Sequence, residues 1–155
     1  MADKNEGQDQ AASSGEVKLL SVVEVPSWPR PKGYVNGMLT AGKGERILFV
    51  AGQVGWEADE TFKSDDFVYQ FGKALDNVLA MVRATDGEPS SIARMTVFVT
   101  DLEAYRTSQR ALAEAWRARF GRHYPAMALI CISSLLEVGG KVEIEATCVL
   151  PGASS

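Results

Sequence analysis

Apolar residues fall into short runs with two different periods along this chain. Phe67, Phe71, Ala74, Leu75, Val78 and Val82 recur at helical spacing and predict an amphipathic helix from about Asp65 to Ala84. Asp86-Gly87-Glu88-Pro89 is its stop signal. A second helix is expected from near Asp101, where Thr100-Asp101-Leu102-Glu103 has capping-box spacing, to Gly121, with Tyr105, Leu112, Trp116 and Phe120 on its apolar side. Strand signals have the other period. Val142, Ile144, Ala146 and Cys148 alternate with Glu143, Glu145 and Thr147 between Lys141 and Leu150. Ile92 to Thr100 is rich in β-branched and aromatic residues, and Ala126 to Ser134 follows Pro125 as a further strand. Met38 to Ala41 and Ile47 to Ala51, joined by Gly42-Lys43-Gly44-Glu45, read as a β-hairpin. Val17 to Val25 is apolar enough for a strand, after which Pro26, Pro29 and Pro31 predict an irregular loop up to Gly33.

From the hairpin onward the order is β-β-α-β-α-β-β, which predicts an α+β fold: a mixed β-sheet with two helices on one face. Met127, Leu129 and Cys131 alternate with Ala128, Ile130 and Ile132, so the strand carrying them is apolar on both sides. No third helix is predicted to cover the far side of the sheet. Other copies of the chain are the expected cover, which makes a homo-oligomer the expected state. Residues 1 to about 15 have no hydrophobic period and are expected to be a disordered tail, followed by one domain over residues 16–151 and a short tail at 152–155.

Composition narrows the function classes. Apolar residues make up 46% and charged residues 23%, and the net charge is −4. An acidic surface with no RNA-binding motif weighs against nucleic acid as a partner. Arg106, Arg110, Arg117, Arg119 and Arg122 crowd the second helix and read as a solvated face, diluted by Glu114. No apolar run is long enough to span a membrane, and the first residues lack a signal-peptide layout, so a cytoplasmic protein with no membrane partner is expected. Cys131 and Cys148 have neither metal-site nor disulfide spacing and are expected to be small, inert core residues. His123 has no Asp, Ser or Cys partner identifiable from sequence and reads as a loop residue.

Six segments stand in a specific order: Gly33-Tyr34-Val35-Asn36-Gly37, Leu48-Phe49-Val50-Ala51-Gly52-Gln53-Val54, Gln70 through Asn77-Val78-Leu79, Thr96 through Leu102, Tyr124-Pro125-Ala126, and Val142-Glu143-Ile144-Glu145-Ala146. In this order they resemble the Rid (reactive-intermediate deaminase, YjgF-like) family. The resemblance covers about residues 25 to 150. It implies a chorismate-mutase-like fold, a homotrimer with a central barrel, small-molecule clefts between subunits, and no metal or organic cofactor. It further implies hydrolysis of enamines and imines, with an arginine gripping the substrate carboxylate and a glutamate handling protons. Here Met127 stands at the arginine position, Gln109 at that of the cleft asparagine, and Ala51 at that of the usual serine.

Glu143 aligns with the functional glutamate. On the strand face opposite Val142 and Ile144, it is read either as a cleft acid or base with a raised pKa or as a solvated strand carboxylate. Tyr34 offers either a hydroxyl to a polar ligand or a ring covering a hydrophobic edge. Gly52 and Gln53 are expected to act through their backbone, by close approach to a ligand or chain or as a simple bulge. Gln109 would orient a polar group or be an ordinary helix-surface residue, and Met127 with Leu129 would form an apolar, adaptable cleft wall. A nearby arginine, Arg30 or one from the second helix, is the alternative source of a carboxylate grip. Three functions follow: an enzyme acting on an enamine, imine or related activated bond; a non-catalytic ligand-binding or regulatory trimer; and, less favoured, an RNA-acting protein.

Overall fold

In the computed structural model, which describes residues 20–32, 35–41 and 44–152, the first apolar stripe forms α1, Phe67–Arg83. Asp66 caps it, its carboxylate accepting the Tyr69 N–H at 2.7 Å. This satisfies one of the backbone donors that a helix start leaves unpaired. Phe67, Phe71, Leu75, Val78 and Val82 are all buried.

The strands are β1 Leu20–Val22, β2 Gly37–Thr40, β3 Arg46–Val54, β4 Ile92–Val99, β5 Ala126–Cys131 and β6 Val142–Leu150. They form one sheet in the order β1-β2-β3-β6-β4-β5. β4 and β5 pair in parallel, and every other neighbour pair is antiparallel. The parallel pair needs a crossover, which α2 (Leu102–Thr107) and α3 (Gln109–Phe120) provide. α1 and α3 pack together on one face of the sheet, and Leu48, Leu75, Leu79, Ile92, Met95 and Ile144 meet between them with under 2% exposure. At about 1.5–3 kcal/mol per large apolar side chain buried, this layer is the main source of stability.

The predicted α+β fold is thus observed, with differences at the element ends. The second helix breaks at Ser108, whose φ of −101° and ψ of 12° leave the helical region. Thr107 Oγ1 donates to the Glu103 carbonyl at 2.8 Å beside this break, a side-chain bond that competes with the backbone ladder. The cap of α2 is Asp101, accepting the Ala104 N–H at 2.8 Å, one residue later than the capping-box reading placed it. A single 3-10 turn, Pro89–Ser91, precedes β4. β5 stops at Cys131, not Ser134: the Ile132 N–H still reaches the Val99 carbonyl, but β4 ends there and offers nothing further. β1 is shorter than the predicted strand, whose residues 17–19 lie outside the described part, as do the tail over residues 1–15 and residues 153–155.

β5 overturns one expectation. It is an edge strand, and five of its six residues are exposed, Cys131 among them. Among the described residues α1 and α3 lie together on one side of the sheet, so they cannot cover both faces of an edge strand. Cys148, on the helix side of β6, is buried as expected, and burial pushes its thiol up to about 12.

Candidate active site

The centre of the candidate site is a register shift in β3. Val50 pairs with Ala146 and Gln53 with Ile144, so Ala51 and Gly52 together stand opposite Glu145 alone. Such a bulge turns one extra residue out of the ladder. Gly52 is exposed on the face away from the helices, whereas Gln53 turns inward and is buried.

Glu143 lies directly over the bulge. A Cβ built on Gly52 would overlap its carboxylate, coming within 2.7 Å of Cδ and 3.0 Å of Cγ. Only glycine leaves this space open. Glu143 is half-buried on the same face, beside Phe98 of β4, and Phe98 in turn pairs with Ile130 of β5. Burial raises its pKa above the usual carboxylate value, and the charges of Glu137 and Glu145 raise it further. No cation opposes these effects among the groups that act on it.

Two buried amides hold the flanks of this site. Gln70 on α1 is fully buried and donates to the Ser64 and Gly139 carbonyls at 3.0 and 2.9 Å, while its own carbonyl accepts the Lys141 N–H at 2.8 Å. It thereby ties the loop that leads into β6, one residue before Val142 and two before Glu143. Asn77, two turns further along α1, donates to the Val54 and Trp56 carbonyls at 2.8 and 2.9 Å and fastens the end of β3 just past the bulge. Both residues belong to the Gln70-to-Leu79 segment of the family resemblance, which by itself assigns neither a role. Two amides seven apart on one buried helix face were the available signal.

Other expected site residues lie elsewhere. Met127 pairs with Met95, and Leu129 with Val97, which places both on the helix side of β5, opposite the face that carries Glu143. Met127 is 48% exposed, and Leu129 packs partly against the core. Within one chain they do not converge with Glu143. Gln53 donates from Nε2 to the Ala51 carbonyl at 3.1 Å and borders a small hollow with Trp28, Asn36, Trp56 and Asn77 on the other side of the sheet. Gln109 opens α3 on the surface, its amide bonded to the Tyr105 carbonyl at 2.8 Å. Tyr34 lies outside the described residues.

Of the arginines offered as substitutes for the missing one, Arg30, Arg110 and Arg119 have other partners. Arg30 pairs with Glu24 at 2.9 Å on the surface. Arg119 grips Asp76 with two bonds of 2.7 and 2.8 Å, joining α3 to α1, and Arg110 pairs with Glu114. His123 is a structural residue of its loop: Nε2 is 2.8 Å from the Ile92 carbonyl, and its own carbonyl accepts the Trp116 indole N–H. No group of three or more His, Cys, Asp or Glu is gathered for a metal among the described residues, and no helix there is long and apolar enough to cross a membrane.

Comparison with known proteins agrees with this architecture. The family model described as Endoribonuclease L-PSP matches residues 30–150. RutC family protein y4sK of Sinorhizobium fredii is 34% identical over 105 residues, covering 67% of this chain and 79% of that protein. The crystal structure of Escherichia coli TdcF with bound serine superposes with a TM-score of 0.70 at 27% identity, covering 84% of this chain and 98% of the other. RidA from an Antarctic Psychrobacter shares the fold at a TM-score of 0.67 and 22% identity, over 83% of this chain and 98% of its own. With a family model spanning nearly the whole described chain, the protein belongs to the endoribonuclease L-PSP family, the Rid or YjgF-like proteins with a chorismate-mutase-like α+β fold.

Proposed function

We propose that the protein is a small-molecule hydrolase of the Rid type, acting on an enamine, imine or related activated metabolite that is not a simple 2-imino acid. Its sites lie in clefts between the copies of a homotrimer. The observation that carries this reading is the Glu143 carboxylate, half-buried over the Gly52 bulge with its pKa raised and no cation acting on it among the described residues. A carboxyl tuned upward in this way exchanges protons near neutral pH more readily than an ordinary one. Protonated Glu143 would deliver a proton to the enamine carbon, forming an iminium. As its carboxylate it would then take a proton from the water that adds to the iminium carbon, and collapse of the adduct would release ammonia and leave a carbonyl.

Clefts between copies are supported by the position of Glu143 on one face of the sheet and of Met127 and Leu129 on the other. A second copy can bring its own β5 to the Glu143 side. TdcF, a 27% identical relative, has been solved with serine bound, which supports a small molecule as the occupant. Met127 sets the substrate class. A thioether is a weak acceptor with apolar surface, whereas an arginine presents a fork of donors matched to a carboxylate. Loss of charge-assisted bonds of about 1.5–3 kcal/mol each predicts about tenfold to a few hundredfold weaker use of carboxylate-bearing imines.

The test is to generate 2-iminobutanoate with a threonine dehydratase and follow its hydrolysis with the wild type and Met127→Arg. The expected result is a poor wild type and a gain in the variant. Efficient hydrolysis by the wild type overturns the substrate reading.

A further inference from the structure

The bulge that turns Gly52 outward turns Gln53 inward, into a concavity that the Glu143 site does not use. Its inner end is the small hollow of about 20 Å³ beside Gln53 and Asn77, with Glu57 and Glu60 also on its wall. Trp28, Pro29 and Asn36 border this hollow and, equally, an adjoining cavity of about 490 Å³. Val22, Val25, Pro26 and Val35 line the larger cavity, and the fixed φ of each proline holds its wall in shape. Glu24 and Arg30, which also border it, are paired with each other at 2.9 Å.

The hollow is rich in acceptors. Gln53 and Asn77 are only 3% and 6% exposed, and their amide nitrogens are already engaged. Gln53 donates to the Ala51 carbonyl at 3.1 Å, and Asn77 to the Val54 and Trp56 carbonyls at 2.8 and 2.9 Å. Neither side-chain oxygen accepts a bond from another described residue, although buried amides ordinarily satisfy both ends. Lys73 neutralises Glu57 at 2.8 Å, whereas Glu60 has no ion pair among the described residues.

We propose that this concavity is a second binding site, for a small amine with an apolar or aromatic body. The ammonium occupies the hollow and donates to Gln53 and Asn77, while the body lies in the larger cavity against Trp28. A space of this size holds about one water-sized group, which an ammonium is, and an ammonium brings donors alone to a place that offers acceptors. A carboxylate or phosphate head would set acceptor against acceptor beside Glu60. The larger cavity falls within the roughly 300–1,000 Å³ of small-molecule pockets and has their apolar lining. The face of the Trp28 indole suits both an aromatic body and a nearby cation.

Isothermal titration calorimetry of the full chain with 2-phenylethylamine at neutral pH tests this, with 3-phenylpropanoate as the acidic counterpart. The amine is expected to bind at one site per chain, and the carboxylate about tenfold more weakly or worse. Trp28→Ala is expected to weaken the amine about tenfold, and Glu143→Gln, on the other side of the sheet, to leave it unchanged. No saturable binding of the amine at millimolar concentration overturns the site, as does a carboxylate that binds equally well. Binding that survives Trp28→Ala, or that is lost in Glu143→Gln, places the amine elsewhere and overturns it too. Should Trp28→Ala fail to fold, the wild type decides: the indole N–H resonance of Trp28, assigned with Trp28→Phe, is expected to shift as the amine is added. A resonance that does not move overturns the assignment.

Discussion

Glu143 and Gly52 are separated by 91 positions in sequence, yet each determines what the other can be. A methyl at position 52 would occupy the carboxylate's place, so Gly52→Ala is expected to displace Glu143 and lower any turnover by about the 10²–10⁴ that loss of a general acid or base costs. Glu143→Gln, which keeps shape and loses the proton, is expected to do the same while leaving assembly intact. An unaltered kcat in either variant would assign these residues to structure. Stability gives a second readout. The folded pKa of Glu143 lies above its ordinary value of 4.5, so the folded state binds its proton more tightly than the unfolded chain. The penalty is absent below the unfolded pKa, grows as pH rises through the folded pKa, and persists above it. Glu143→Gln should therefore raise Tm relative to wild type more at pH 8 than at pH 4; an equal difference at both would contradict the raised pKa. Alternation along β6 makes the face that Glu143 takes legible from the sequence. The overlap with Gly52 was not legible, because an irregularity of one residue in β3 shifts the faces and no sequence period marks it.

At the level of elements, α1 does more than cover the sheet. Gln70 and Asn77 turn its buried side into a clamp on both strands of the site. Gln70→Leu is expected to destabilise the fold by about 1–3 kcal/mol, since it removes three part-buried hydrogen bonds made by a fully buried amide. Urea unfolding measures this, and a loss below 0.5 kcal/mol, within the usual scatter of surface changes, would contradict the clamp. Long periodic segments were the readable ones: α1 and β6 were predicted to within about two residues, because many burial positions report one face. The break between α2 and α3 was hidden. Tyr105, Leu112, Trp116 and Phe120 keep their spacing across Ser108, so the apolar stripe continues where the backbone does not.

At the scale of the whole molecule, the two apolar faces of the strand after Pro125 predicted a missing cover, and the exposure of Ile130, Met127 and Cys131 is consistent with one. Cys131 is exposed although its apolar neighbours in the strand predict burial, because the strand's place at the sheet edge depends on pairings between distant segments. The resemblance carries Met127 and Glu143 into one site, and their opposite faces on one chain are the ground for the proposal that two chains build it. Subunit mixing tests that proposal most directly. Wild type is co-expressed with the Met127→Arg, Glu143→Gln double variant, and hydrolysis of 2-iminobutanoate is followed, with Met127→Arg alone as the positive control. Wild type lacks the arginine and the double variant lacks the acid, so each alone is expected to be poor. Mixed assemblies place the double variant's position 127 against the wild type's Glu143 and are expected to hydrolyse the imine well above the sum of the two. A mixture no more active than that sum, beside an active Met127→Arg control, would contradict a site shared between copies.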